Sequence, residues 1–300
     1  MMTRNQLDYC PHCPGDRTVP RSERHCFDYH DVGSANVRHA RLPDEVAALG
    51  QRYGEAVEEA RQRNIDPVRQ DFEHWVETVS APVVNMPVNG AGHFLVEGKL
   101  YKNYYEQIRD GDRPRAALEN DRHRLGVDGW VFPGYSEEVR HAVLSLDGHG
   151  ATGYGPLSFV IANDDGLYEG YTSALSRNSY DFYDDSMAAH YGASRSGPLT
   201  LPQGHRSDWQ NRHKLAVAKL AEQLRADSTA QDYAGLLVQA SHNRQDEEFI
   251  ELHICRPFGR DAITDIHFKR GAVLNPHEKG TLAILRDRAE KQAIRWHDYD

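Results

Sequence analysis

The amino-acid sequence predicts an α+β protein: a Cys/His-rich, helical N-terminal module over residues 1–85, then a mixed domain of strands and helices over residues 86–300. Three observations carry that expectation. Apolar residues recur at helical spacing in long stretches before residue 80. A Cys, His and Arg-rich opening with little hydrophobic periodicity precedes them. From residue 139 onward, short runs rich in Val, Ile, Leu and Phe alternate with further helical stretches.

Composition narrows the function classes. With 300 residues, 39% hydrophobic and 27% charged, the chain can bury a substantial core beneath a polar surface. No apolar run approaches the ~20 residues that cross a bilayer, and MMTRNQLDYC lacks the apolar centre of a signal peptide. The expectation is a cytoplasmic protein, or one secreted by a signal-peptide-independent route, with no membrane partner. A net charge of -10 disfavours a protein that coats nucleic acid, which needs clustered Lys and Arg. No GxxxxGK[ST] motif occurs, which disfavours a P-loop enzyme.

Element by element, LPDEVAALGQRYGEAVEEARQRN starts a helix at Pro43, with Val46, Leu49, Tyr53, Val57 and Ala60 on one stripe. DPVRQDFEHWVETVS, 66–80, is a second helix, and APVVNMPVNGAGHF, 81–94, reads as a Pro/Gly-punctuated connection marking the domain boundary. LYKNYYEQIRD and RPRAALENDRHRL follow as helices. VRHAVLSL and YGPLSFVI read as strands joined into a hairpin by the turn DGHGATG, and SYDFY as a further short strand. SDWQNRHKLAVAKLAEQLRAD is a helix capped by Ser207, with Val217, Leu220, Ala221 and Leu224 on its stripe. YAGLLVQA, EFIELHI and ITDIHF give three strands, and EKGTLAILRDRAEKQAIRW a last helix. In EFIELHI, alternation sets Ile250, Leu252 and Ile254 on an apolar face and Phe249, Glu251 and His253 on the other, the chemistry-bearing one.

Cys10, Cys13, Cys26 and His30 form C-x2-C-x12-C-x3-H, a spacing used by tetrahedral structural zinc sites. Three free thiols are the competing reading, because the stretch lacks the apolar residues that fill a small zinc finger. Cys255 reads as a half-buried thiol beside the strand.

Residues from about 99 to 286 resemble an uncharacterised actinobacterial family known only as a domain of unknown function. The resemblance lies in ordered short motifs: GKLYKNYYE with Glu106, the helix, turn and strand of ALENDRHRLGVDGWVFPGYSEEVRHAVLSL with Arg140, YGPLSFVI, SRNSYDFYDDS with Arg177, Asp185 and Ser186, and EFIELHICRPFGRDAITDIHF. A looser similarity, an acidic residue on a late strand followed by a turn and an Asp-Ile element, is to the ADP-ribosyltransferases. That similarity implies a split β-sandwich, NAD as substrate, and an early Arg or His, a middle Ser or Tyr and a late Glu. Here the order is met by Arg140, Ser186 and Glu251 as catalytic candidates.

Breaking the nicotinamide glycosidic bond develops oxocarbenium character at the ribose, which a nearby carboxylate such as Glu251 stabilises. Arginines such as Arg140 and Arg177 suit pyrophosphate, Ser158 or Ser186 suits a ribose hydroxyl, and Tyr154, Tyr180 or Tyr183 suits stacking on nicotinamide. Asp185 and His253 complete the candidate NAD-binding set. The acceptor is unassigned, and Phe249 stands where arginine-modifying members resemble one another in an acidic residue, so arginine is not the expected target. NAD-consuming toxins often need an inhibitory partner, which the chain itself does not show. Two other readings compete: a metal-dependent hydrolase or nuclease built on Asp184, Asp185, Glu251 and His253, and a protein-binding module presenting the Tyr-rich segment 101–105.

Overall fold

The computed structural model describes residues 33–114, 121–162, 168–192, 201–241 and 246–300, without the side chains of 121–123, 186 and 188–192. The expected zinc ligands Cys10, Cys13, Cys26 and His30 lie outside the described residues. No helix among the described residues is long and apolar enough to cross a membrane.

The strands are β1 (Ala81–Met86), β2 (Arg140–Ser145), β3 (Leu157–Ile161), β4 (Thr172–Leu175), β5 (Arg206–Asp208), β6 (Val238–Gln239), β7 (Glu248–Phe249), β8 (Glu251–Ile254), β9 (Ile263–Lys269) and β10 (Arg295–Tyr299). Eight of them form one sheet in the order β10-β9-β3-β1-β2-β8-β4-β5, and β6 pairs with β7. Within the large sheet every neighbouring pair is antiparallel except β10 beside β9. The architecture is therefore α+β with a large, mostly antiparallel sheet.

The helices Pro43–Gln62, Asp66–Thr78 and Arg212–Leu220 pack together. Their residues Leu49, Phe72, Val76, Leu215 and Leu220 share a core with Val84, Leu144, Leu252 and Ile254 of the sheet. The boundary expected after residue 85 consequently falls inside β1, a central strand, and the helices before it are packed into the same core as the rest. A second apolar cluster joins Val127, Val131 and Phe132 to Leu175 and Phe182, seating the Asp121–Val131 and Ser179–Gly192 helices against the sheet. Glu251 and His253 alternate with the core residues Leu252 and Ile254 along β8, so they point away from the larger core.

Several sequence expectations are corrected. The segment 81–94 is a buried strand followed by the helical stretch Val88–Val96, because Val83, Val84 and Met86 are apolar enough to enter the core despite the flanking prolines. β2 and β3 do not form a hairpin: β1 lies between them, pairing Val83 with both Val143 and Val160. SYDFY opens a helix, since the Asn178 side chain accepts from the Tyr180 amide and Glu251 from the Ser179 amide. Ser207 is a buried β5 residue, and Asp208 accepts the Asn211 amide in its place. YAGLLVQA is mostly helix, started by the Thr229/Asp232 capping box and burying Tyr233 and Leu237 one turn apart. The strands β4, β5 and β10 are likewise additional to those read from sequence.

Leu252 is fully buried on β8, which has a neighbouring strand on each side. Leu252→Ala is expected to lower stability by about 2–5 kcal/mol, read as a fall in the urea midpoint at unchanged m-value. A loss below about 0.5 kcal/mol, typical of a surface site, would contradict the interior placement of β8.

Candidate active site

Removing a carboxylate from water is costly unless donors replace the water. Glu251, 6% exposed, finds them on neighbouring elements. His141 of β2 lies with Nδ1 2.8 Å from Oε1, and the backbone N–H of Ser179 donates to Oε2 at 2.6 Å from the first turn of its helix. His253, one alternation further along β8, brings Nε2 to 3.3 Å from Oε2. That nitrogen is buried and makes no aligned hydrogen bond. The register explains the grouping, since His141 stands directly opposite His253 and Val143 opposite Glu251.

Burial alone would push the Glu251 carboxyl up, but the charge and hydrogen bond of His141, with His253 adding to them, hold it well below the usual carboxylate range. His253 is shifted down, first by its burial, against the pull of Glu251. The far nitrogen of the His141 ring, Nε2, is 3.4 Å from an Arg124 guanidinium nitrogen. Arg124 also lies 3.6 Å from Asp128, which accepts from the Tyr105 hydroxyl at 2.9 Å.

Glu251 and His141 form part of the wall of a cleft of about 490 Å³, within the range of sites for small molecules and cofactors. Tyr101, Tyr104, Tyr154, Tyr180 and Phe249 supply aromatic lining. The Tyr104 ring has the guanidinium carbons of Arg113 and Arg124 at 5.2 and 5.3 Å from its centre, which gives this wall an anion-attracting character. The cleft can therefore offer an anionic group, aromatic faces and cations to one ligand.

The expected site residues are only partly brought together. Tyr154 lines the cleft, its hydroxyl accepting from Asn178 Nδ2 at 3.1 Å. Arg140 does not line it. It is 3% exposed, and its guanidinium is occupied by Glu106 at 2.7 Å and by the carbonyls of Tyr101 and Glu138. The two charged residues that carried the early part of the family resemblance thus neutralise each other. Ser158 is fully buried on β3, accepting from Asn85 and donating to the His149 carbonyl. Arg177 pairs with the exposed Asp185 at 2.8 Å, and Tyr183 packs edge-on against Trp130 away from the cleft lining. Ser186 falls within the Ser179–Gly192 helix, its side chain outside the description. Cys255 is buried rather than half-buried, and burial pushes its thiol up. Tyr101, which a protein-binding module would present to solvent, stacks on Phe258 instead.

Sequence reasoning missed His141, the Ser179 amide and Arg124. His141 had a signal: in VRHAVLSL it shares a face with Val143, whereas Arg140 shares one with Ala142 and the core residue Leu144. It also missed that GHGATG, 148–153, has the form GxGxxG. That run leads into a 3-10 turn and then β3, so it lacks the helix N-terminus on which a dinucleotide fingerprint seats a pyrophosphate. No protein-family model matches the chain, and no curated protein matches its sequence.

Because the folded-state pKa of Glu251 lies below the ordinary value of 4.5, its contribution to stability is complete above that value and is lost as pH falls through the folded pKa. The stability deficit of Glu251→Gln, measured by urea unfolding, should therefore shrink as pH is lowered from about 5 towards 3. A deficit that stays constant over that window would show that the carboxyl titrates alike in folded and unfolded chains.

Proposed function

We propose that the cleft binds NAD and that the protein is an ADP-ribosyltransferase-like enzyme, transferring ADP-ribose to an acceptor or to water. The observation that carries this reading is the ionised, desolvated Glu251 carboxylate on the wall of an aromatic-lined cleft. In the reaction the bond between the ribose C1′ and the pyridinium nitrogen breaks, and its electron pair leaves with neutral nicotinamide. The acceptor's nucleophile then bonds C1′ and gives up its proton. Glu251 stabilises the positive charge that builds on the ribose, and acts most strongly where water is excluded. His141 fixes the carboxylate, taking the place on β2 that Arg140 was expected to hold. Tyr154 or Tyr180 offers a face to nicotinamide, and Arg113 and Arg124 suit the pyrophosphate.

Glu251→Gln is expected to lower turnover of labelled NAD by about 10²–10³-fold while far-UV circular dichroism stays unchanged. Unchanged turnover in that variant ends the proposal.

A second reading rests on His253. Its buried, unaligned Nε2, with donor atoms of His141 and Glu251 all within 4.8 Å of one another, also suits a metal-dependent hydrolase with two imidazoles and a carboxylate as ligands. Asp185, expected to join such a centre, pairs with Arg177 instead. Phosphodiester hydrolysis that a chelator abolishes, zinc restores and NAD does not affect would favour this reading over the first.

A further inference from the structure

A second group of ligand-type side chains lies on the other side of the sheet order, at the edge formed by β9 and β10. We propose that this edge binds a divalent transition-metal ion through Asp265, His267 and His297. The site is separate from the cleft and does not depend on the reading given for it.

The backbone assembles the three residues. Asp265 and His267 are two apart on β9 and so share a face. The parallel register sets Arg295 beside Asp265 and His297 beside His267, which places His297 in the same row. One donor atom from each of Asp265, His267 and His297 lies within 4.8 Å of the others. His297 Nε2 is already 2.8 Å from Asp265 Oδ1. Two ligands at ~2.1 Å from a tetrahedral ion stand roughly 3.4 Å apart, so a small outward shift admits an ion between them.

The surroundings favour ligation over a plain surface ion pair. Asp265 Oδ2 is held by Arg295 at 2.7 Å, the kind of outer contact that fixes a ligating carboxylate. The ring of His267 is fixed by the turn after β2: Gly148 has φ +79, and a Cβ there would sit 2.7 Å from His267 Nε2, so the backbone rests against the imidazole. The His149 ring, stacked on Tyr299 at 3.7 Å and 5.3 Å from His267, stands at the rim.

The donor set selects the ion. Two imidazoles and one carboxylate suit zinc, cobalt or nickel, whereas calcium and magnesium take oxygen ligands. The His297 side chain is 46% exposed, so solvent reaches the group and the remaining coordination positions fall to water. The ion would tie the last strand, β10, to β9, and an ion that binds only the folded chain raises its stability by mass action.

Cobalt(II) serves as the probe, added to the full chain and followed by equilibrium dialysis and thermal unfolding. Cys10→Ser/Cys13→Ser/Cys26→Ser provides the background, which removes the three thiolates of the N-terminal Cys/His cluster. His297→Ala, at an exposed position, is expected to bind one fewer cobalt per chain and to lose the cobalt-induced rise in Tm, and His267→Ala should do the same. Introduced together with Glu251→Gln, His297→Ala should still remove one cobalt per chain relative to Glu251→Gln alone. Equal stoichiometry and equal Tm shifts in the background protein and His297→Ala would overturn the proposal, as would the absence of bound cobalt in the background protein.

Discussion

A carboxylate buried between a sheet and a helix must be satisfied from several sides at once, and Glu251 is where that requirement ties the molecule together. Its two oxygens take a ring nitrogen from β2 and a backbone amide from the helix that follows β4, while its own backbone belongs to β8. Three segments distant in sequence are thereby set relative to one another by one side chain. The grouping is also what holds the carboxyl below the usual carboxylate range where water is scarce, since His141 and His253 together outweigh the effect of burial. Structure and proposed chemistry are consequences of the same pair.

Arg140 and Glu106 show the contrasting use of charge. Their pair closes on itself, with the guanidinium also bonded to two carbonyls, and holds the Tyr104–Arg109 helix to the start of β2. A charge whose donors are all spent on the fold has none left for a ligand. His141, one residue further on, keeps a ring on the cleft wall. The difference between a charge spent on the fold and a ring on the cleft wall is here a single step of strand alternation.

Parts of this were legible in the sequence. The strand carrying Glu251, the long helices at 43–62 and 66–78 and the alternation of Ile250, Leu252 and Ile254 follow from periodicity, which reflects burial directly. The order of strands was not legible, because β1 hides its apolar run among Pro82, Pro87 and Gly90. SYDFY and YAGLLVQA carry the Tyr, Phe, Leu and Val of strands, yet caps from Asn178 and Thr229 decide for helix. His141 was obscured by the adjacent Arg140, which fits the family-like motif at the start of that strand. Partners that come from a distant strand leave no local mark.

The insertion of β1 between β2 and β3 has a consequence for how the chain reaches its native state. β2 finds one neighbour in β1 and the other in β8, where Arg140 meets Ile254 across a gap of 114 positions (254 minus 140). Pairings of such long range form slowly, because loop-closure entropy must be overcome before the contact is gained. During synthesis from the N-terminus, β2 stays an open edge until β8 has emerged, and an unpaired apolar edge is a template for association with other chains. The segment that completes the Glu251 pair is thus also the one that ends this vulnerability.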